Sequence, residues 1–301
     1  MRKVKPRSAA EGDQRRRRLP AWLRRPMPSR GMVDTRKLLN GLRLHTVCAE
    51  AKCPNLTECW ARGTATFMIL GASCTRCCGF CAVATSAAPS PPEKDEPERL
   101  ALAAQRLKLR HVVITSVTRD DLPDEGADQF ARCTQAIHDT LPKAAVEVLT
   151  PDFHARRELI QTVCEARPQV YNHNLETVER LQKSVRPQAG YRRSLTVLRS
   201  VREIAPEIRT KSGLMVGLGE STEEIVTALR DLRAAGCDLL TIGQYLRPGA
   251  GQIPVQKYYR PEEFDHLAKI AEEQGFQGVA SGPFVRSSYF AETLYSPTDE
   301  E

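Results

Sequence analysis

Six short runs of apolar or β-branched residues recur along the chain, and this recurrence constrains the fold more than any other feature. The runs are Thr66–Leu70, His111–Val117, Val146–Thr150, Val170–Leu175, Ser212–Leu218 and Leu239–Leu246. Segments with helical periodicity alternate with them, at Leu100–Leu109, Phe130–Thr140, His154–Ala166, Leu195–Ile204, Glu223–Ala235 and Glu262–Gln274. Buried strands that alternate with helices predict an α/β fold with a parallel sheet inside and helices outside.

Two architectures fit this alternation, a partly closed barrel and a doubly wound open sheet, and periodicity does not separate them. Local signals support the helices in either case. Ser221 and Glu224 have the spacing of a capping box, and Gly236 is placed to end that helix in a left-handed conformation. Both architectures place function at the carboxyl ends of the strands.

The formal charge of +7 is a property of the N-terminus. Residues 1–26 carry ten Lys/Arg and two Asp/Glu, which gives +8 and leaves the remaining chain at −1. We interpret this tail as a solvated arm, with a phosphate-binding arm or an Arg-rich organelle presequence as alternatives. No apolar run reaches the ~18 residues of a membrane span. We therefore expect a cytoplasmic protein, or a mitochondrial matrix protein if the tail is a presequence, that has no membrane span and binds no nucleic acid.

The chain has ten cysteines, which we interpret as metal ligands, redox groups or core residues because intracellular thiols are kept reduced. Four of them lie in the stretch CTRCCGFC, Cys74 to Cys81. Read as two CxxC pairs, the stretch has no spacer between the zinc knuckles, and read as CGFC it leaves two thiols unexplained. Read as Cys74-x3-Cys78-x2-Cys81, it places three thiolates on one loop after the first strand. Three ligands leave one iron of a 4Fe–4S cluster open to a small molecule. Cys77 is then a bystander.

This spacing after the first strand resembles the radical S-adenosylmethionine (SAM) enzymes, whose open iron binds SAM. A second triplet, Cys48-x4-Cys53-x5-Cys59, stands in the polar stretch HTVCAEAKCPNLTECW. Three core cysteines in such surroundings would be unusual, because buried cysteine normally has apolar neighbours. The second triplet therefore indicates a second cluster.

The chain also resembles the lipoyl synthase family from about Val33 onward. The segments that carry the resemblance are HTVCAEAKCPNLTECW, GTATFMILGASCTRCCGFCAVA, VVITSVTRDDLPDEGADQF, VYNHNLETVERL, KSGLMVGLGE and GPFVRSSYFAE. The resemblance implies a sulfurtransferase that inserts two sulfur atoms, at carbons 6 and 8 of an octanoyl chain on a lysine of a carrier domain. Two molecules of SAM would be consumed, and an auxiliary 4Fe–4S cluster would be dismantled as the sulfur donor.

The resemblance also assigns residues. Cys74, Cys78 and Cys81 would hold the radical-generating 4Fe–4S cluster. Cys48, Cys53 and Cys59 would hold the auxiliary one, with Ser287 of the RSSY motif as its fourth ligand in preference to Ser288. Cofactor contacts would come from Gly126, Asn172 and Glu176, although Glu125 stands where the family has a glycine. His173 is interpreted as a hydrogen-bonding residue, and Cys133, Cys164 and Cys237 as core.

The same resemblance implies a fold and partners. We expect a partial (β/α)6 TIM-like barrel at residues 63–275, after a tail at 1–32 and an auxiliary-cluster extension at 33–62. A C-terminal extension at 276–301 would help to cover the open end. Partners would be octanoylated lipoyl-carrier domains (E2 subunits of 2-oxoacid dehydrogenases and the glycine cleavage H protein), an electron donor such as ferredoxin or flavodoxin, and a cluster-rebuilding carrier. Alternatives are a biotin synthase-like or tRNA methylthiotransferase-like sulfur inserter, or a two-cluster electron-transfer protein.

Overall fold

A computed structural model describes residues 19–24, 31–289 and 291–295, so most of the predicted basic tail lies outside the described residues. The strands of its main sheet are β1 (His45–Thr46), β2 (Thr66–Ile69), β5 (His111–Ser116), β6 (Ala145–Leu149), β7 (Val170–Asn172), β8 (Arg209–Val216), β9 (Leu239–Gln244) and β10 (Gly278–Gly282). A separate ribbon pairs β3 (Ser73–Cys74) with β4 (Ala84–Thr85). All six predicted strands are therefore confirmed.

The strand order decides between the two predicted architectures. In the main sheet the order is β1-β2-β5-β6-β7-β8-β9-β10, and all neighbours are parallel except β1, which runs antiparallel to β2. A doubly wound sheet reverses its strand order in the middle. The consecutive order found here is that of a singly wound barrel, with β1 and β10 as its unpaired edges. The predicted partial barrel is confirmed, and the doubly wound alternative is wrong.

Helices follow six of the parallel strands, as predicted. The α-helices among the described residues are α1 (Gly31–Gly41), α2 (Val47–Glu50), α3 (Leu56–Ala61), α4 (Glu96–Arg106), α5 (Ala127–Thr140), α6 (Arg157–Glu165), α7 (Gln182–Val185), α8 (Tyr191–Ile204), α9 (Thr222–Ala234), α10 (Pro261–Glu273) and α11 (Ala291–Leu294). Both halves of the capping box at Ser221 and Glu224 are present, and Gly236 has a φ of +84°. No helix in the described part is long and apolar enough to cross a membrane.

The C-terminal segment begins inside the sheet. Residues 278–282, which the predicted division assigns to the C-terminal extension, pair with β9 as a seventh parallel strand. The chain then turns back into the barrel mouth, and α11 packs against β5 and β10. This arrangement brings the chain end to the open side of the barrel.

The two faces of the sheet differ in chemistry. Residues such as Val112, Ile114, Val146 and Val148 are completely buried in the core cluster. The interior carries a buried ion pair, in which Lys211 Nζ lies 2.8 Å from Glu147 Oε1. The inside of the barrel is therefore partly polar.

Candidate active site

A cavity of about 270 Å³ lies inside the barrel toward the carboxyl ends of the strands, where function was predicted. Parts of the chain that are far apart in sequence line it together. Among the lining residues are Cys48, Cys53, Cys59, Cys81, Asn174, Glu176, Ser287 and Ser288. Both predicted cysteine triplets and the RSSY motif thus contribute to one cavity.

The N-terminal triplet Cys48, Cys53 and Cys59 comes from two short helices and the turn that joins them. Cys48 lies in α2, Cys59 lies in α3, and Cys53 lies on the turn between these helices. Burial raises the pKa of the Cys48 thiol to about 11, and burial together with Cys48 and Cys53 raises the pKa of Cys59 to about 12. At neutral pH these thiols are protonated without metal, so cluster assembly must release their protons.

The triplet Cys74, Cys78 and Cys81 follows β2. Burial raises the pKa of Cys78 to about 12; Arg186 opposes this rise, and Cys81, Glu176 and Cys74 add to it. The Sγ of Cys74 accepts hydrogen bonds from the backbone N–H groups of Arg76 at 3.4 Å and Thr118 at 3.3 Å. These contacts fix the position of the Cys74 sulfur on its loop.

The sulfurs of the two triplets do not form compact single-ion sites. A tetrahedral Zn²⁺ holds each sulfur at about 2.3 Å, which brings its ligands close together. Among the described residues, neither triplet brings its three sulfurs within 4.8 Å of one another. All-thiolate donors at wider spacing are the ligands of iron–sulfur clusters.

Cys77 points away from this site. It is exposed, and its backbone N–H lies 2.9 Å and its Sγ 3.4 Å from the side-chain oxygen of Gln188. Its orientation supports the interpretation of Cys77 as a bystander.

Cys77 is exposed and Cys48 is buried, and this difference predicts the order in which the two thiols are modified in cluster-free protein. With a pKa of about 11, the Cys48 thiol is only about one-thousandth ionised at pH 8. We expect iodoacetamide to modify Cys77 at least ~10-fold faster than Cys48, as followed by peptide mass spectrometry. Equal rates would contradict the buried placement of Cys48.

Ser287 faces the cavity beside Asn174. The Asn174 Nδ2 lies 2.7 Å from Ser287 Oγ and 3.0 Å from Glu176 Oε1. Glu176 is in turn close enough to Cys78 and Cys81 to raise the pKa of both thiols. Ser288 has a different partner, because its Oγ accepts a hydrogen bond from Thr66 Oγ1 at 2.7 Å.

Of the three residues predicted to contact the cofactor, one lines the cavity and two do not. Glu176 lines the cavity. Asn172 is completely buried, does not line the cavity, and donates a hydrogen bond to Glu147 Oε1 at 3.1 Å. Gly126 does not line it either; it has a φ of +89°, and a Cβ there would lie 2.3 Å from Leu70 Cδ1. The geometry gives these two residues packing roles, and their contact with a cofactor stays a prediction.

Glu125 turns toward a neighbouring loop. Its backbone has a φ of +50°, a conformation that glycine adopts more readily, and its side chain is buried. Its Oε1 lies 2.9 Å from His154 Nδ1 and 3.6 Å from an Arg156 nitrogen. His154 and Arg156 thus bind the side chain of Glu125, which stands at a turn where the family has a glycine.

Two contributors to the site were missed by the sequence analysis. Asn174 lies two residues after Asn172 and reaches the cavity in its place. Gln252 donates from Nε2 to the Cys81 carbonyl oxygen at 3.0 Å, and the N–H of Ile253 donates to Gly79 O at 2.9 Å. Asn174 could have been predicted, because residues two apart in an extended segment face the same side. No local sequence pattern predicts the contact of Gln252.

His173 is a buried hydrogen-bonding residue, as interpreted. Its Nδ1 lies 2.9 Å from the Thr150 carbonyl oxygen and its Nε2 2.9 Å from Ser194 Oγ. These partners suit a neutral ring that donates from Nδ1 and accepts at Nε2. Burial, with Arg186 nearby, lowers the pKa of His173 from 6.5 to about 4.

The lowered pKa of His173 predicts a pH dependence of stability. The unfolded chain binds a proton at His173 near pH 6.5, but the folded chain does so only near pH 4, so its contribution is complete above pH 6.5 and is lost as the pH falls toward 4. The loss is up to about 3 kcal/mol. We expect urea unfolding at pH 7 and pH 5 to show a smaller difference for His173→Gln than for wild type. His266→Gln, at an exposed position, serves as the control.

Comparison with known proteins identifies the family. Residues 68–232 match the model of the Radical SAM superfamily. The lipoyl synthase of Rubrobacter xylanophilus is 55% identical over 273 residues, which cover 90% of this chain and 85% of the relative. The chain belongs to the lipoyl synthase family. A second member, from Rhodopirellula baltica, is 54% identical and aligns over 92% of this chain and 88% of its own length.

Solved structures share the fold of this lipoyl synthase family member. Methylornithine synthase (PylB) matches with a TM-score of 0.53 at 15% identity and covers 90% of this chain and 88% of that one. HydG, a maturase of the [FeFe]-hydrogenase, matches with a TM-score of 0.59 at 15% identity over 70% of this chain and half of its own. Membership of the radical SAM superfamily implies a 4Fe–4S cluster and SAM.

Proposed function

We propose that this chain converts a protein-bound octanoyl-lysine into a lipoyl group by inserting two sulfur atoms, at carbons 6 and 8. The observation that carries the proposal is the cavity shared by Cys48, Cys53, Cys59, Cys81 and Ser287. A cavity bordered by one cluster that starts a radical and a second that gives up sulfur suits this reaction. A two-cluster electron carrier has no need of a substrate cavity between its clusters.

Each triplet has its own task in this proposal. Cys74, Cys78 and Cys81 hold the first 4Fe–4S cluster, and Cys48, Cys53 and Cys59 hold the auxiliary one with Ser287. When bound, the first cluster and SAM supply hydrogen abstraction from unactivated carbon, and the auxiliary cluster supplies the sulfur.

The surrounding side chains tune and orient these ligands. Arg186 lies close enough to Cys78 to favour its thiolate form. Glu176 and Asn174 connect the neighbourhood of Cys78 to Ser287 through hydrogen bonds of 3.0 and 2.7 Å. A serine oxygen is a harder ligand than a thiolate and matches iron less well, so an iron held by Ser287 is the one most readily released.

The partners are those that membership of the lipoyl synthase family implies. The octanoyl group arrives on a lipoyl-carrier domain, such as an E2 subunit of a 2-oxoacid dehydrogenase or the glycine cleavage H protein. A ferredoxin or flavodoxin delivers electrons, and a further carrier rebuilds the auxiliary cluster. A cytoplasmic location is supported by the matched relatives, which are bacterial, and these give no support to the mitochondrial alternative.

The decisive experiment is anaerobic turnover on an octanoyl-lysine peptide. The reconstituted chain is incubated with SAM and dithionite, and mass spectrometry follows the peptide. A product with two added sulfurs supports the proposal. Cleavage of SAM without any sulfur on the peptide would overturn it.

A further inference from the structure

The segment Phe284–Tyr289, called the C-terminal strap here, runs into the barrel mouth against two strand glycines. A Cβ built on Gly243 in β9 would lie 2.1 Å from the Val285 carbonyl oxygen. A Cβ on Gly213 in β8 would lie 3.0 Å from Ser287 Oγ and 2.8 Å from Asn174 Oδ1. Contacts below 3.0 Å force a displacement, so side chains at these positions would compete with the strap for space.

Backbone conformation does not account for these two glycines. Neither has a φ in the left-handed region, and both lie within parallel strands. Glycine weakens a strand interior and commonly marks the close approach of another backbone. Close approach of the strap backbone therefore accounts for glycine at Gly243, and crowding by the side chains of Asn174, Thr241 and Ser287 accounts for it at Gly213.

We propose that Gly213 and Gly243 are positioning residues, which admit the C-terminal strap into the barrel so that the Ser287 hydroxyl reaches the cavity, and that Asn174 fixes that hydroxyl. The meaning of this placement for sulfur insertion rests on the proposed function. The placement itself is a property of the fold and is testable without turnover.

Asn174 is suited to its role because it faces two groups at once. Its Nδ2 lies within hydrogen-bond distance of Ser287 Oγ and of Glu176 Oε1, at 2.7 and 3.0 Å. Ser287 Oγ also lies 3.0 Å from Asn174 Oδ1. An aspartate at this position would replace the shared donor with a carboxylate that repels Glu176.

The other side of the strap is tied to the N-terminal extension. Asn55 Nδ2 donates to the Phe284 carbonyl oxygen at 2.7 Å, and Tyr289 OH lies 3.0 Å from Glu58 Oε1. Thr66, at the start of β2, donates to Ser288 Oγ at 2.7 Å. A strap pushed away from β8 and β9 would therefore press on the segment that bears Cys48, Cys53 and Cys59.

The two glycines predict effects of different size. At Gly243 the closest atoms are the Val285 carbonyl oxygen and carbon, at 2.1 and 3.1 Å, and backbone atoms cannot rotate aside. At Gly213 the closest atoms belong to the side chains of Asn174, Thr241 and Ser287. Gly243→Ala should therefore displace the whole strap. Gly213→Ala should shift mainly the side chains of Asn174 and Thr241, and with Asn174 the hydroxyl of Ser287.

The test compares hydrogen–deuterium exchange of wild type, Gly243→Ala, Gly213→Ala and Asn174→Asp in the reconstituted full chain. We expect exchange of strap peptides in Gly243→Ala to be about tenfold faster or more, with α9 peptides unchanged. Gly213→Ala should show a smaller increase. Gly41→Ala is the matched control, since a Cβ there meets nothing within 4 Å.

Activity is measured on the same samples. We expect Gly243→Ala and Gly213→Ala to cleave SAM and to lose most two-sulfur product, and Asn174→Asp to lose that product while its strap stays protected. Unchanged strap exchange in both glycine variants would overturn the proposal, as would normal two-sulfur turnover with a displaced strap. If wild type cleaves SAM without inserting sulfur while Gly243→Ala still displaces the strap, the proposed function is wrong and the positioning role of Gly243 is retained.

Discussion

Replacing Cys74, Cys78 or Cys81 by alanine should abolish SAM cleavage, whereas Cys77→Ala should retain it. Two remaining thiolates cannot hold the radical-generating cluster, and changes even to outer-shell partners of metal ligands cost about 10–100-fold, so the loss should exceed ~100-fold. Cys77 is exposed and bonded to Gln188, and its removal takes nothing from the cluster. The measurement is 5′-deoxyadenosine formation under dithionite, with iron content determined in parallel.

Cys77→Ala is also the matched control for these variants, since it removes a thiol from the same loop. Each of the other three should lose about the iron of one cluster and keep that of the auxiliary cluster. Equal loss of SAM cleavage from all four variants would show that the Cys74-x3-Cys78-x2-Cys81 interpretation of the loop is wrong.

The barrel could be predicted from sequence because strands buried on both faces appear as continuous apolar runs. The run at Leu239–Leu246, for example, contains the wholly buried strand β9. The strand β10 differs, since its sequence GVASG is rich in small residues and only partly buried. Small residues produce only a weak apolar signal: GVASGPFV is strand-like in sequence, but the predicted division places it in the C-terminal extension and not in the core.

The site was predictable only within each local motif. Spacing groups the cysteines into triplets because ligands on one loop must converge on one cluster. It does not show that the two triplets share a cavity. That follows from the return of the chain end, which brings Ser288 against Thr66 across 222 residues.

The sequence also does not show which residues of a strand end reach the cavity. Asn172 and Asn174 are two residues apart and so about 7 Å apart in an extended segment. That distance separates a residue bonded to Glu147 beneath the cavity from one that lines it. Nothing in the sequence distinguishes the two asparagines. The structure does, because Asn174 lines the cavity and Asn172 does not.

Ser287→Ala should retain SAM cleavage and lose sulfur insertion, by ~100-fold or more if Ser287 is the fourth ligand of the auxiliary cluster. The radical-generating triplet does not depend on this hydroxyl. Ser287→Cys should keep the auxiliary cluster and bind its iron more tightly, because thiolate is the softer ligand, so sulfur release should slow. Iron content, SAM cleavage and mass spectrometry of an octanoyl-lysine peptide separate these effects.

Ser288→Ala is the matched comparison, because it removes a hydroxyl of the same size from the next residue. Ser288 is hydrogen-bonded to Thr66, which lies close enough to Cys48 to lower the pKa of its thiol, so loss of the Ser288 hydroxyl should weaken the support of the auxiliary triplet without removing a ligand. We expect Ser288→Ala to insert sulfur more slowly than wild type and much faster than Ser287→Ala. The reverse order would transfer the ligand role to Ser288, and normal two-sulfur turnover by both variants would remove serine ligation from the mechanism.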